Sequence, residues 1–192
     1  MAELTAELVK QEIIEDSFQV CREDFRPFFS EVFQDREFLL DFISKPFGGS
    51  VLSFLPEYYD DREVVLKAVE NWHTVFEKVS EWYGDDEEIV LTGISNVPMA
   101  YVYAKGKLVN NRDFALKAVK AHHLAFAFME NFHDDREIAK IAISNNPRTY
   151  KYASNRLHDD DELFLMAAKQ VPSMAEYASE RLVKKYMKPK KS

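Results

Sequence analysis

The segment DDREVVLKAV, residues 60–69, puts two aspartates, an arginine and a glutamate directly before a run of Val and Leu. Dense carboxylates can hold a metal or run acid/base chemistry. The same phrase recurs, however, and active sites seldom come in series. Anchored on the last acid of each copy, the recurrences fall at Glu37, Glu63, Glu88, Asp113, Glu137 and Glu162, at intervals of 26, 25, 25, 24 and 25 residues. They read QDREFLLDFI, DDREVVLKAV, DDEEIVLTGI, NNRDFALKAV, DDREIAKIAI and DDDELFLMAA. Five places after the anchor stand Phe42, Ala68, Gly93, Ala118, Ala142 and Ala167, small in five copies of six. Self-similarity at a fixed short period marks a repeat array.

Each copy predicts two short helices. Asp60 with Glu63, Asp85 with Glu88, Asp134 with Glu137 and Asp159 with Glu162 have the spacing of a capping box. Carboxylates there also face the positive end of the helix dipole. The acidic clusters are therefore expected to be helix caps. About ten residues after the anchor, Pro98, Pro147 and Pro172 suit the first turn of a second helix, rich in aromatics. The expected fold is all-α: about six helical hairpins of about 25 residues, stacked as a solenoid-like superhelix over 34–183. Residues 1–33 are expected to supply N-terminal capping helices, and 184–192 a basic tail without fixed structure.

These residues resemble a known family. DDREVVLKAV, YKYASNRLHDDDELFLMAA and AEYASERL are similar to repeats of the domain of unknown function 4116 family. The resemblance covers roughly 34–183 and is clearest from 60 onward. It implies helical repeats, of a kind found in bacteria, protists and large DNA viruses and sometimes within secreted bacterial effectors. It brings no catalytic residues.

Composition narrows the function classes. The chain has 192 residues, 46% hydrophobic, with only 5 Gly and 7 Pro, which excludes collagen-like and disordered classes. No apolar run approaches the ~20 residues of a membrane span, and the start MAELTAELVKQEIIED is not that of a secretory signal. Cys21 is the single cysteine, so no internal disulfide forms; it is expected to be a buried small apolar residue in a reducing, cytoplasmic setting. Net charge is −8, but the last nine residues hold five lysines, leaving 20 basic against 33 acidic residues elsewhere. Such a body repels phosphates, and direct nucleic-acid binding is not expected.

No segment has the ligand spacing of a calcium loop. His73, His122, His123, His133 and His158 lack metal-motif partners and fit interhelical turns. No nucleophile elbow, phosphate loop or dinucleotide fingerprint is present, so neither cofactor, metal nor catalysis is expected. The expected function is a non-enzymatic protein–protein interaction module. Its candidate contacts are Tyr101, Tyr103, Tyr150, Tyr152 and Tyr177, together with Asp85, Asp86 and Glu87 on an acidic edge. At ~100° per helical residue, tyrosines two apart point in nearly opposed directions, so one of each pair is expected in the core. The alternative is an acidic nucleic-acid mimic that occupies the channel of a partner, such as a phage anti-defence protein.

Overall fold

The computed structural model describes residues 4–72 and 74–187, so the expectation for His73 lies outside the described residues. The chain divides into two compact units, with the boundary in the sequence between Asn96 and Val97. The first holds α1 (Ala6–Glu15), α2 (Phe29–Val32), α3 (Arg36–Ile43), α4 (Arg62–Asn71), α5 (Val75–Tyr83) and α6 (Glu87–Asn96). The second holds α7 (Arg112–Ala121), α8 (Arg136–Asn145), α9 (Asp161–Ala168) and α10 (Glu180–Tyr186). No strand occurs among the described residues, and the six recurrences are α3, α4, α6, α7, α8 and α9. The chain is an all-α repeat array, as its period predicts.

The recurring apolar positions form the core. In α8, Ile138, Ala139, Ala142 and Ile143 are fully buried; Val64, Val65, Ala68 and Val69 do the same in α4. Positions i, i+1, i+4 and i+5 make one broad stripe on a 3.6-residue helix. The small residue at the fifth place after the anchor lies at its centre.

The second element of most repeats differs from expectation. It is a six-residue 3₁₀ segment rather than an α-helix: Pro98–Tyr103, His123–Phe128, Pro147–Tyr152 and Pro172–Tyr177. Each lies between residues of non-helical backbone. Six residues rise ~12 Å as 3₁₀ but only ~9 Å as α, so the tighter helix spans more of the ~15 Å helix beside it. Val75–Tyr83 is the exception, an α-helix that buries Val75, Phe76, Val79 and Ser80 at helical spacing. No proline starts it.

Residues 4–33 hold the expected first helix, then 3₁₀ turns at Ser17–Cys21 and Glu23–Phe28 before α2. Cys21 is exposed, contrary to expectation, because the 3₁₀ turn buries its neighbour Val20 instead. The first residues expected in the basic tail are helical instead. Lys184 and Lys185 belong to α10, where Lys184 pairs with Glu180 and Lys185 with Asp161. Residues 188–192 lie outside the described residues. Gly48 and Gly49 are buried at the close approaches of their 3₁₀ segment to the ends of α3 and α4. Just before them, Phe47 adopts a left-handed backbone with φ 65°.

Candidate interaction surface

The two aspartates of each pair have different tasks, and the capping register is one residue later than the capping-box spacing suggests. Asp61 accepts from Val64 N at 3.2 Å, Asp135 from Glu137 N and Ile138 N at 3.0 and 3.1 Å, and Asp160 from Leu163 N at 3.0 Å. Asp86, Asp35 and Asn111 cap α6, α3 and α7 in the same way. The caps are thus the second residue of each pair, not Asp60, Asp85, Asp134 and Asp159. The following Glu then stands at the second helical position, too early for a capping box.

That glutamate joins a ladder instead. The arginine that opens α3, α4, α7 or α8 reaches the cap and the glutamate of the next repeat in its unit. Arg36 donates to Asp61 and Glu63 at 2.6 and 2.7 Å, and Arg62 to Asp86 and Glu88 at 2.7 and 2.6 Å. Arg112 bonds Asp135 and Glu137, both at 2.6 Å, and Arg136 bonds Asp160 and Glu162 at 2.8 and 2.5 Å. The guanidinium of Arg36 holds the Asp61 carboxyl below its ordinary 3.8, with backbone N–H bonds helping; Arg62 does so for Asp86. At Asp135 and Asp160 partial burial pushes upward and is outweighed by the arginine and the cap bonds. Both members of the pattern change at one step, with Glu87 at an arginine position and Asn111 at a cap-aspartate position.

The first aspartates are engaged elsewhere in the second unit. Asp134 accepts from the Ser154 hydroxyl and from Arg156 Nε at 3.0 Å; Asp159 accepts from the Ser179 hydroxyl and from Arg181 Nε at 2.9 Å. The phrase Y-A-S-x-R-L, in Tyr152–Leu157 and Tyr177–Leu182, is therefore a clasp on the preceding aspartate. Both segments resemble family repeats in the sequence, which assigns no role to their serine and arginine. At the last step the polarity reverses. Asp161 replaces the arginine and accepts from Arg181, Lys185 and the Tyr186 hydroxyl. Among the described residues no three His, Cys, Asp or Glu side chains gather as for a metal ion.

The family model described as Domain of unknown function (DUF4116) matches the chain over residues 61–104, 86–131 and 135–183, more than half of its length. The chain belongs to the DUF4116 family. Each match begins on a capping residue, Asp61, Asp86 or Asp135, and runs through about two of the 25-residue units. Each DUF4116 match thus takes in a cap and the cap of the next repeat; in 61–104 and 135–183 these are the two ends of one ladder step. No curated protein and no solved structure matches the chain.

Of the candidate acids, Asp86 is tied up as cap and ion pair, Glu87 opens α6, and Asp85 is exposed. The tyrosines separate by position. Tyr101 is 6% exposed and Tyr150 fully buried, its hydroxyl donating to His158 O at 2.9 Å. Tyr103 and Tyr152 are half-buried, and Tyr177 is 37% exposed. Phe128, half-buried, occupies the same place in the remaining 3₁₀ segment. One aromatic column of the second unit, Tyr103, Phe128, Tyr152 and Tyr177, therefore reaches the surface on successive, mutually packed segments. On the same segments, Met99, Val102, Arg148 and Lys151 are exposed. No helix among the described residues is long and apolar enough to cross a membrane.

Proposed function

We propose that this DUF4116 protein is a non-enzymatic module that binds another protein through the aromatic column Tyr103, Phe128, Tyr152 and Tyr177. The supporting observation is the repetition of a surface-reaching aromatic at one position of four successive 3₁₀ segments. Tyrosine offers a large, rigid contact area at low conformational cost and is enriched in interface hot spots. The acids give weaker support to the nucleic-acid-mimic reading, because most of them are committed to caps, arginines and serine clasps within the chain. A cytoplasmic setting belongs to the same proposal and rests on the lone Cys21.

The test is affinity capture of the partner from native lysate, followed by binding kinetics on the purified pair. Tyr152→Ala should speed dissociation on the order of tenfold or more, in line with aromatic hot spots of ~2 kcal/mol. Raising the salt should change the affinity little. Unchanged dissociation, with binding that collapses in moderate salt and is displaced by free DNA, would favour the mimic.

A further inference from the structure

Two repeats of the second unit seat a histidine ring against an aromatic core residue. His158 lies 4.9 Å from the Tyr150 ring and 6.3 Å from Tyr177, centroid to centroid, and His133 lies 5.2 Å from Phe126. In both, Nε2 meets the backbone carbonyl of the core aromatic, at 2.9 Å from Tyr150 O and 2.8 Å from Phe126 O. A carbonyl only accepts, so each imidazole donates. That bond adds to the one each carbonyl accepts from the backbone three residues on, Ala153 N or Met129 N.

The repeat before them carries the same frame without the ring. Tyr101 stands at the Tyr150 position and Phe128 at the Tyr177 position, but Val109 replaces the histidine. A half-open hollow of about 230 Å³ is found there, lined by Tyr101, Val102, Ala104, Val109, Phe128, Glu130 and Asn131. Tyr101 O accepts from Ala104 N at 3.0 Å, the counterpart of the Ala153 bond, and lacks the imidazole donor that its siblings have. The Tyr101 hydroxyl is also the buried side-chain polar atom left without a partner among the described residues. In the sibling repeat the corresponding hydroxyl donates to His158 O. Aromatic walls and an under-used acceptor thus frame a void smaller than the ~300–1,000 Å³ of ordinary small-molecule pockets.

We propose that the hollow at Val109 is a binding site for one imidazole ring, the side chain of a histidine presented by a protein partner. The ring enters between Tyr101 and Phe128 and donates its N–H to the Tyr101 carbonyl, as His158 and His133 do within the chain. Glu130 and Asn131 stand at the rim, both exposed, where the backbone carrying the histidine passes. The histidine's origin rests on the protein-binding reading above; the ring's fit does not.

The experiment is a titration of the full chain, at about pH 8, with free imidazole and with N-acetyl-histidine methylamide, followed by the amide and methyl resonances of Val102, Ala104 and Val109. That pH lies above the ~6.5 at which histidine ordinarily titrates, so the added rings are largely neutral. Both probes should give saturable shifts confined to the hollow. A ring whose N–H is replaced by N–CH₃, 1-methylimidazole, should bind about five- to tenfold more weakly, as loss of one hydrogen bond implies. Val109→His should abolish the shifts by supplying the ring from within. Shifts that never saturate, or equal affinity for 1-methylimidazole, would overturn the site even if the variant did not fold. Binding of imidazole without binding of the histidine derivative would overturn the partner histidine. Neither failure would touch the Tyr152→Ala test of the aromatic column.

Discussion

Replacing Phe126 by alanine is expected to lower the stability of the second unit by ~3–5 kcal/mol, the usual cost of truncating a buried aromatic. Phe126 is fully buried, and its ring meets His133 edge-on at 5.2 Å. Its removal takes away the wall on which that histidine rests. The segment that carries Phe126 packs against α7 and α8, so the cavity opens within the core of the unit. Urea denaturation followed by circular dichroism measures the loss. A cost below ~1 kcal/mol would mean that the 3₁₀ segments are an outer layer, not half of the core.

Gly48→Ala is the second large effect, and its origin is different. A Cβ at Gly48 would lie 2.0 Å from Phe42 O and 2.9 Å from its carbonyl carbon, at the end of α3. Both atoms are backbone, and no side-chain rotation relieves the clash. Overpacking of this kind costs ~1–3 kcal/mol, occasionally more. The same substitution at Ser50, which is only half-buried, removes one hydroxyl bond to Phe47 O and should cost much less. Thermal melts of the two variants compare them directly. Equal stabilities would show that the segment and α3 can separate without loss.

The period and the helices were legible because they repeat six times in 192 residues, and the small residue five places after the anchor because it returns in five of the six copies. The capping register was misread because two adjacent acids precede four of the six recurring helices and a capping-box spacing fits the first. The column itself held the answer. The second place reads Asp35, Asp61, Asp86, Asn111, Asp135 and Asp160, every one a good cap, whereas the first includes Gln34. The 3₁₀ segments were not legible, since over six residues a period of 3.0 and one of 3.6 bury nearly the same positions. The clasp of Ser154 and Arg156 on Asp134, and the seat of His158 on Tyr150 O, join residues that only the folded chain brings together. Repetition hinted at both, through Y-A-S-x-R-L and the histidines preceding the acid pairs.

That the acid pairs are structural, with the second aspartate as the cap and the first as a surface clasp, is tested most directly by comparing Asp135→Ala with Asp134→Ala in urea denaturation. Asp135 accepts two backbone N–H bonds at the start of α8 as well as the Arg112 guanidinium. Its loss should cost ~0.5–2 kcal/mol from the cap alone. Asp134 is exposed and, among the described residues, bonds Ser154 and Arg156, so its variant should stay closer to the parent. A greater loss at Asp134, or none at Asp135, would contradict the division of labour between the paired aspartates.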